Sequence, residues 1–455
     1  MSPATLFLLT APGGRASRTR AALVAGGTAA AGGLVLVTVA LFRVPAVALP
    51  PRDSTGDQSF SYDSRYADIV TSAETRIGVA TAVLLVAGTA LVLAWQAVSS
   101  GSARRYRRNA ALVTAGATPG DLRRLGAVET AVAGAVGGLF AGPVYLLAWF
   151  LLGPAQPARS RLLTDLAPTD LGAWACLVPA TAALAALAGA HSGTGQPRAP
   201  LNRWWWPALA VTALIAMSTL PRMDEIADRQ LQVGLMSVAV TLLLLAALAS
   251  GTPWARNKAT RMARRDSTTA ILAAGGLRAL AGPAGRAAGV LLGAGLTMGV
   301  ACVILGNTLR QATSSGVGYG EHLPGVVLAG VAAGLAALAG LATITLAAVD
   351  DLLTNRRGLA AMAAVGADLT AVQALQRRRL RAATIAPLST GLLVGGLGYG
   401  ALGAAGEPAS STDAWPILVV GPAALGLLLL ADAGIVRLLA GRTRDAIDPT
   451  HLRVA

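Results

Sequence analysis

The chain has few of the residues from which soluble enzymes build catalytic and metal sites. Of its 455 residues 13% are charged and 4% are aromatic, with two cysteines and three histidines. Cys176 and Cys302 lie inside apolar runs, where we expect small core residues and neither a disulfide framework nor a metal cluster. Lys258 is the only lysine and does not follow the glycines of a phosphate-binding loop. We therefore expect no catalytic site, cofactor or metal in this chain.

Apolar residues are abundant instead. They make up 54% of the chain, the mean hydropathy is +0.59, and there are 53 glycines, a composition typical of helices packed in lipid. Because about 20 apolar residues span a bilayer, the runs predict ten transmembrane helices. The predicted spans are residues 21–42, 77–98, 126–152, 170–190, 204–220, 231–250, 285–308, 324–349, 382–404 and 414–436.

The net charge of +15 is explained by topology. The basic residues have no interleaved aromatics that could stack bases, so nucleic acid is not an expected partner. If the amino terminus is cytoplasmic and the spans alternate, 28 of the 37 basic residues lie inside and 13 of the 22 acidic residues outside. This asymmetry predicts a multi-pass membrane protein with both termini cytoplasmic.

The two most basic loops repeat each other. Residues 106–118 and 356–368 align without gaps at an offset of 250, and each loop joins the second and third helices of a four-helix group. Six spans separate equivalent points, so the two groups have the same orientation. The predicted fold is an all-α integral membrane protein with two parallel four-helix repeats, residues 1–190 and 266–455, joined by a two-helix linker at 191–265.

Each of these loops is predicted to form a helix-turn-helix elbow. In the first, residues 103–115 form a short helix that Gly116 can end in a left-handed conformation. A second short helix then begins, with Thr118 as its N-cap, Pro119 at the first helical position and Asp121 completing an approximate capping box. Asp368 is expected to cap the equivalent turn of the second elbow.

The elbow residues carry a resemblance to a known family. The Arg-rich helix, the turn at Gly116, and the following Leu122, Leu125 and Glu129 with a glycine-rich third span resemble the FtsX-like permeases, which include MacB-type ABC transporter subunits. The second copy keeps the arginines and Gly366 but has Arg379 where the first has Glu129. The resemblance covers both four-helix groups.

The resemblance implies a location in the bacterial cytoplasmic membrane, a partner and a function. A separate cytoplasmic ABC ATPase, in two copies and carrying the ATP and Mg, would drive one elbow with each subunit and power export or extraction of an amphiphilic substrate. The short outer loops argue against a large external domain. The implied ATPase contacts are Arg104, Arg105, Arg107, Arg108, Gly116, Ala117 and Thr118 in the first elbow, and Arg356, Arg357, Gly366, Ala367 and Asp368 in the second.

Three alternatives remain open at this point. The basic loops alone would fit ordinary positive-inside connections that hold the helices in register with anionic lipid. A non-transporting member of the family would transmit force to an extracellular enzyme or a sensor. An ion-coupled secondary transporter would need polar groups at mid-membrane, and the apolar runs offer almost none.

Charged residues inside spans are costly and are therefore functional candidates. Asp432 lies in the last apolar run, where it either reaches water or pairs with Arg437, or is buried with a role in coupling or a polar path. Glu129 begins the third span and is expected to form a structural salt bridge at the elbow. Asp350 and Asp351 close the eighth span and are expected to be solvated.

Overall fold

The computed structural model of the chain describes most of its predicted helices. It describes residues 15–44, 65–71, 73–99, 102–156, 161–192, 207, 210–212, 229–264, 267–315, 323–406 and 415–446. Within these ranges the extended backbone pairs only at an isolated bridge between Tyr66 and Arg161. The regular structure of the described residues is otherwise helical.

The first half of the chain forms a series of helices interrupted by one short elbow helix. In chain order they are α1 (Arg15–Leu41), α2 (Asp68–Thr71), α3 (Ala73–Ser99), α4 (Ser102–Thr114), α5 (Pro119–Leu152) and α6 (Pro168–Ser192). The second half continues with α7 (Arg229–Ala263), α8 (Thr268–Ala279), α9 (Ala281–Ser315), α10 (Leu323–Thr354), α11 (Arg356–Ala364), α12 (Leu369–Gly406) and α13 (Trp415–Ala446). Helix α8 was not predicted from the sequence.

Among the described residues, seven helices are long and apolar enough, by length and composition, to cross a membrane. They are α1, α5, α6, α9, α10, α12 and α13, at seven of the ten predicted positions. Helices α3 and α7 cover the predicted spans 77–98 and 231–250 without being among the seven, and most of 204–220 lies outside the described residues. The chain is a multi-pass helical membrane protein, and ten spans stays a prediction.

Contacts divide the chain into two compact units. In the first unit, α5 packs against both α1 and α6. A buried network closes one end of this trio. The Asp170 carboxylate of α6, 7% exposed, pairs with Arg43 at 2.7 Å and accepts hydrogen bonds from the Tyr145 hydroxyl and the Ala167 backbone N–H, both at 3.1 Å. These three interactions offset the cost of burying a charge.

In the second unit α12 packs against α9 and α13. As in the first unit, the third membrane helix of the predicted four-helix group contacts the first and the fourth. Glycines let the backbones of α9 and α12 touch. A Cβ on Gly391 of α12 would overlap the carbonyl of Leu292, and one on Gly295 of α9 would overlap the carbonyl of Leu388. Close approach of this kind stabilises helix pairs in lipid by dispersion and tight packing.

The outward faces of several helices carry large apolar side chains. Phe140 and Leu147 of α5 and Leu171 of α6 are each about 60% exposed. A soluble protein rarely exposes so much apolar surface, whereas lipid solvates it. Of the two cysteines, Cys302 is buried as expected, but Cys176 on α6 is exposed, so the prediction that both are core residues is wrong for Cys176.

Candidate functional site

The first elbow begins with α4, a 13-residue helix that starts one residue before the predicted boundary. Arg104, Arg105 and Arg107 lie within α4, although their side chains are outside the described part of the chain, and the Arg108 side chain is half-buried. Gly116 ends the helix with a φ of +89°, and its N–H bonds the Val113 carbonyl at 2.9 Å. The predicted left-handed glycine is confirmed.

The next helix is held by a reciprocal cap. The Thr118 hydroxyl accepts a hydrogen bond from the Asp121 N–H at 3.2 Å, and the Asp121 carboxylate accepts from the Thr118 N–H at 3.1 Å. Pro119 occupies the first turn, where a missing N–H costs nothing. The predicted capping box is confirmed. The separate second short helix is not, because α5 continues without interruption from Pro119 to Leu152.

The second elbow has the same turn. Gly366 has a φ of +102°, and its N–H bonds the Ala363 carbonyl at 2.9 Å, while the Ala367 N–H bonds the Met362 carbonyl at 3.0 Å. These two hydrogen bonds form a Schellman motif at the end of α11. The Arg356 side chain at the start of α11 is half-buried, and that of Arg357 lies outside the described residues.

Asp368 caps α12 as predicted. Its carboxylate accepts hydrogen bonds from the Ala371 N–H at 2.8 Å and from the Thr370 hydroxyl at 2.6 Å. The Thr370 hydroxyl and then the Ala371 N–H stabilise the ionised form and hold the pKa of Asp368 below its ordinary value. As in the first elbow, the long helix α12 starts directly at the turn and runs from Leu369 to Gly406.

Each turn displays an apolar side chain. Val113, three residues before Gly116, is 54% exposed, and Val365, immediately before Gly366, is 90% exposed. Both side chains lie beside a rigid turn whose backbone is fixed by hydrogen bonds and a cap. An exposed apolar group beside arginines is a common composition for a protein-binding surface.

Glu129 forms the salt bridge expected of it, with a partner that the sequence did not reveal. Its carboxylate pairs with Arg20 of α1 at 2.9 Å, with 17% and 14% of the two side chains exposed. The Arg20 Nε also donates to the Ala97 carbonyl of α3 at 3.1 Å. Arg20 thus joins three helices of the first unit. The only sequence signal for it was its place in the short basic stretch before the first span.

In the second unit the equivalent charge is reversed and still paired. Arg379 of α12 pairs with Asp351 of α10 at 3.3 Å, and its guanidinium lies directly over Gly276 of α8. The Asp351 side chain is 16% exposed, so the expectation that it is solvated is wrong. Pairing with Arg379 offsets part of the cost of removing the Asp351 carboxylate from water.

Asp432 is buried within α13. It is 3% exposed, and its Oδ2 accepts a hydrogen bond of 2.9 Å from the Thr384 hydroxyl of α12. Its Oδ1 has no hydrogen-bond partner. The reading in which Asp432 reaches water or pairs with Arg437 is wrong, because α12 shields it and Thr384 supplies its partner.

Comparisons with protein-family models, with curated proteins and with solved structures found no match to this chain. The resemblance to the FtsX-like permeases therefore rests on the residues of the two elbows. Their geometry provides two rigid, basic, partly apolar turns, each at the start of a long helix.

Proposed function

We propose that the chain is the permease subunit of an ABC transporter, in which a separate ATPase drives the two elbows and an amphiphilic substrate is exported or extracted. The observation that carries this proposal is the recurrence of one turn at an offset of 250 residues. Gly116 and Gly366 both have positive φ, and Thr118 and Asp368 cap the helices that follow. Charge asymmetry alone gives no reason to repeat a backbone conformation.

The elbows suit a protein partner better than lipid alone. Val113 and Val365 are exposed at the turns, and the preceding elbow helices carry arginines that suit the acidic groups of a partner groove. Two elbows in one chain match an ATPase dimer, with one elbow for each subunit. ATP and Mg would be bound by that partner, and the permease would lie in the bacterial cytoplasmic membrane with both termini inside.

The long helices explain how a contact at an elbow could reach the membrane. Helices α5 and α12 start at the turns and contain 34 and 38 residues, so each joins an elbow to a membrane-spanning core without a loop. A push on the turn would act directly on the helix that packs against two others in its unit.

The deciding experiment is ATP hydrolysis by the chain reconstituted with a candidate ABC ATPase. Gly116→Val and Gly366→Val place a β-branched residue at positive φ and should each lower permease-dependent ATPase activity at least fivefold. Gly116→Asn and Gly366→Asn are matched controls, because asparagine tolerates this conformation, and they should retain most of the activity.

The outcomes separate the proposal from its rivals. If no ATPase binds, or if the valine variants couple as well as wild type, the permease assignment is wrong. If the elbows control ATP hydrolysis but no lipid or peptide moves across proteoliposomes, the chain transmits force to an outside partner instead of transporting. Gly398→Val, on α12 where a Cβ would meet open space, should leave activity unchanged.

A further inference from the structure

A small pocket lies at the basic end of the last two helices of the second unit. It has a volume of about 160 Å³ and is lined by Arg377, Arg381, Asp432, Ala433 and Arg437. The pocket is several times larger than a water molecule needs. Three cationic side chains and one carboxylate therefore surround a space with room for a small polar group, independently of the elbows.

Asp432, which lines the pocket, has a buried carboxylate oxygen without a hydrogen-bond partner. Asp432 is 97% buried, and Thr384 satisfies only its Oδ2. The Oδ1 is shielded from water and has no hydrogen-bond donor. An ionised oxygen in this position is costly unless a donor reaches it. The three arginines line the pocket from exposed positions, so their guanidinium groups remain able to bind an anion.

The pocket sits where the apolar part of the two helices ends. Residues 382–406 of α12 and 415–431 of α13 contain no charged residue, and at 1.5 Å per residue they span about 38 and 26 Å. A bilayer's hydrocarbon core is about 30 Å thick. Arg381 and Arg377 precede the first stretch by one and five residues, and Arg437 follows the second by six. We therefore expect the three guanidinium groups near the level of the lipid phosphates.

An apolar stripe leads from the pocket toward the bilayer centre. Leu427 and Leu430 are 69% and 71% exposed and, with Ala433 and Arg437, follow one another at spacings of three or four residues. Residues so spaced share a helical face. A ligand with its polar end at Arg437 could therefore lay a hydrocarbon chain along Leu430 and Leu427, which a free phosphate compound could not do.

We infer that this pocket binds the headgroup of a phospholipid that carries both a phosphate and an ammonium, of the phosphatidylethanolamine class. The phosphate takes charge-assisted hydrogen bonds from the arginines. The ammonium donates to Asp432 Oδ1 and neutralises it. A purely anionic headgroup satisfies the arginines but leaves the carboxylate unpaired beside a second negative charge. A choline headgroup carries the positive charge but has no N–H to donate.

The test is binding of lipids with identical acyl chains to the purified full-length chain in detergent, measured by native mass spectrometry. Phosphatidylethanolamine should bind at least fivefold more tightly than phosphatidylcholine or phosphatidylglycerol. Asp432→Asn should reduce this preference to less than twofold. The double change Arg381→Gln with Arg437→Gln should weaken the binding of all three lipids at least fivefold. Arg444 is an exposed residue of α13 outside the pocket, so Arg444→Gln should leave the binding of each lipid unchanged.

A second series protects the test against a misfolded Asp432 variant. With wild-type protein, stepwise N-methylation of the ethanolamine headgroup should weaken binding, most at the third methyl group, which removes the last N–H. Equal binding of the ethanolamine and choline lipids, or of the ethanolamine and glycerol lipids, would overturn the inference. So would full displacement of the lipid by equimolar free phosphoethanolamine or inorganic phosphate, since the ligand would then be a soluble phosphate compound.

Discussion

The salt bridge of the first elbow joins α5 to a helix more than 100 residues earlier in the chain, whereas that of the second joins α12 to α10, the helix before its elbow. Glu129 reaches Arg20 of α1, and its counterpart Arg379 reaches Asp351 of α10. Both turns contain a glycine with positive φ whose N–H bonds the carbonyl three residues earlier. The difference teaches that the turn is the invariant part of the elbow, while the charge that anchors the third helix can have either sign when another helix supplies the opposite one.

The helix pair below each elbow differs as well. In the first unit, Ala141 of α5 places its methyl group against Gly32 of α1. In the second, the equivalent position is Gly391, which meets the backbone of α9 near Leu292. The second pair is therefore closer at this level and has less room for any side chain.

The largest effect should come from filling that closest approach. Gly391→Val should destabilise the protein by about 3 kcal/mol, because the new side chain meets backbone that cannot rotate away. Thermal unfolding in detergent measures it. The control is Gly398→Val on the same helix, which faces open space. The reverse change in the first unit, Ala141→Gly, should cost only about 1 kcal/mol. Equal losses for Gly391→Val and Gly398→Val would contradict the close packing.

The next largest effect should come from reversing one charge of the salt bridge between Glu129 and Arg20. Glu129→Arg gives α5 the charge that α12 has and places it against Arg20, which should cost about 2–3 kcal/mol for a mostly buried pair. Adding Arg20→Glu should recover at least half of the loss, because the pair is restored with reversed sign. Unfolding of the two single variants and the double variant measures the coupling. Additive losses would show that the two side chains do not stabilise each other.

A smaller effect should come from removing the N-cap of α5 while leaving the N-cap of α12 intact. Thr118→Ala removes the acceptor for the Asp121 N–H and should cost about 1 kcal/mol. The loss should appear as faster hydrogen exchange at the start of α5 and nowhere in α12. Thr118→Ser keeps the hydroxyl and serves as the control. Unchanged exchange at the amide of Asp121 in the alanine variant would mean that the cap contributes nothing.

The smallest effect is a pH dependence of the second cap. Hydrogen bonds from Thr370 and the Ala371 N–H favour the ionised Asp368, so its pKa is lower in the folded chain than in the unfolded one. The stabilisation is fully present above the ordinary carboxylate pKa and is lost as the pH falls through the lowered pKa. Protection of the Ala371 amide from exchange should therefore decrease in acid. Asp368→Asn should remove this pH dependence. If the asparagine variant remained pH-sensitive, ionisation of Asp368 would not be its cause.

The sequence predicted the parts of the elbows that depend on neighbouring residues. A glycine after a short helix and a threonine or aspartate before a long one decide the local backbone, so Gly116, Thr118 and Asp368 were placed correctly. The partners of Glu129 and Asp432 could not be predicted in this way. Arg20 and Thr384 lie 109 and 48 residues away, and only the packing of helices brings them close.

Helix length also escaped the sequence reading. The polar, arginine-containing stretch after Pro119 was the reason for predicting a short helix separate from the membrane span. In the structure this stretch is the first part of one continuous helix. Continuity depends on whether backbone hydrogen bonds run through the polar stretch, and side-chain polarity does not decide that.

Because each long helix is continuous, a movement of the elbow would tilt the whole helix. Helix α5 contains 34 residues and is about 51 Å long, so a tilt of about 5° moves one tip by about 4 Å relative to the other. A proline inside each long helix, Pro143 in α5 and Pro387 in α12, removes one backbone hydrogen bond from the shaft. Each long helix is therefore stiff from the turn to its proline and bends most easily at the proline. The position of the proline sets how far along the helix a displacement of the elbow would be transmitted.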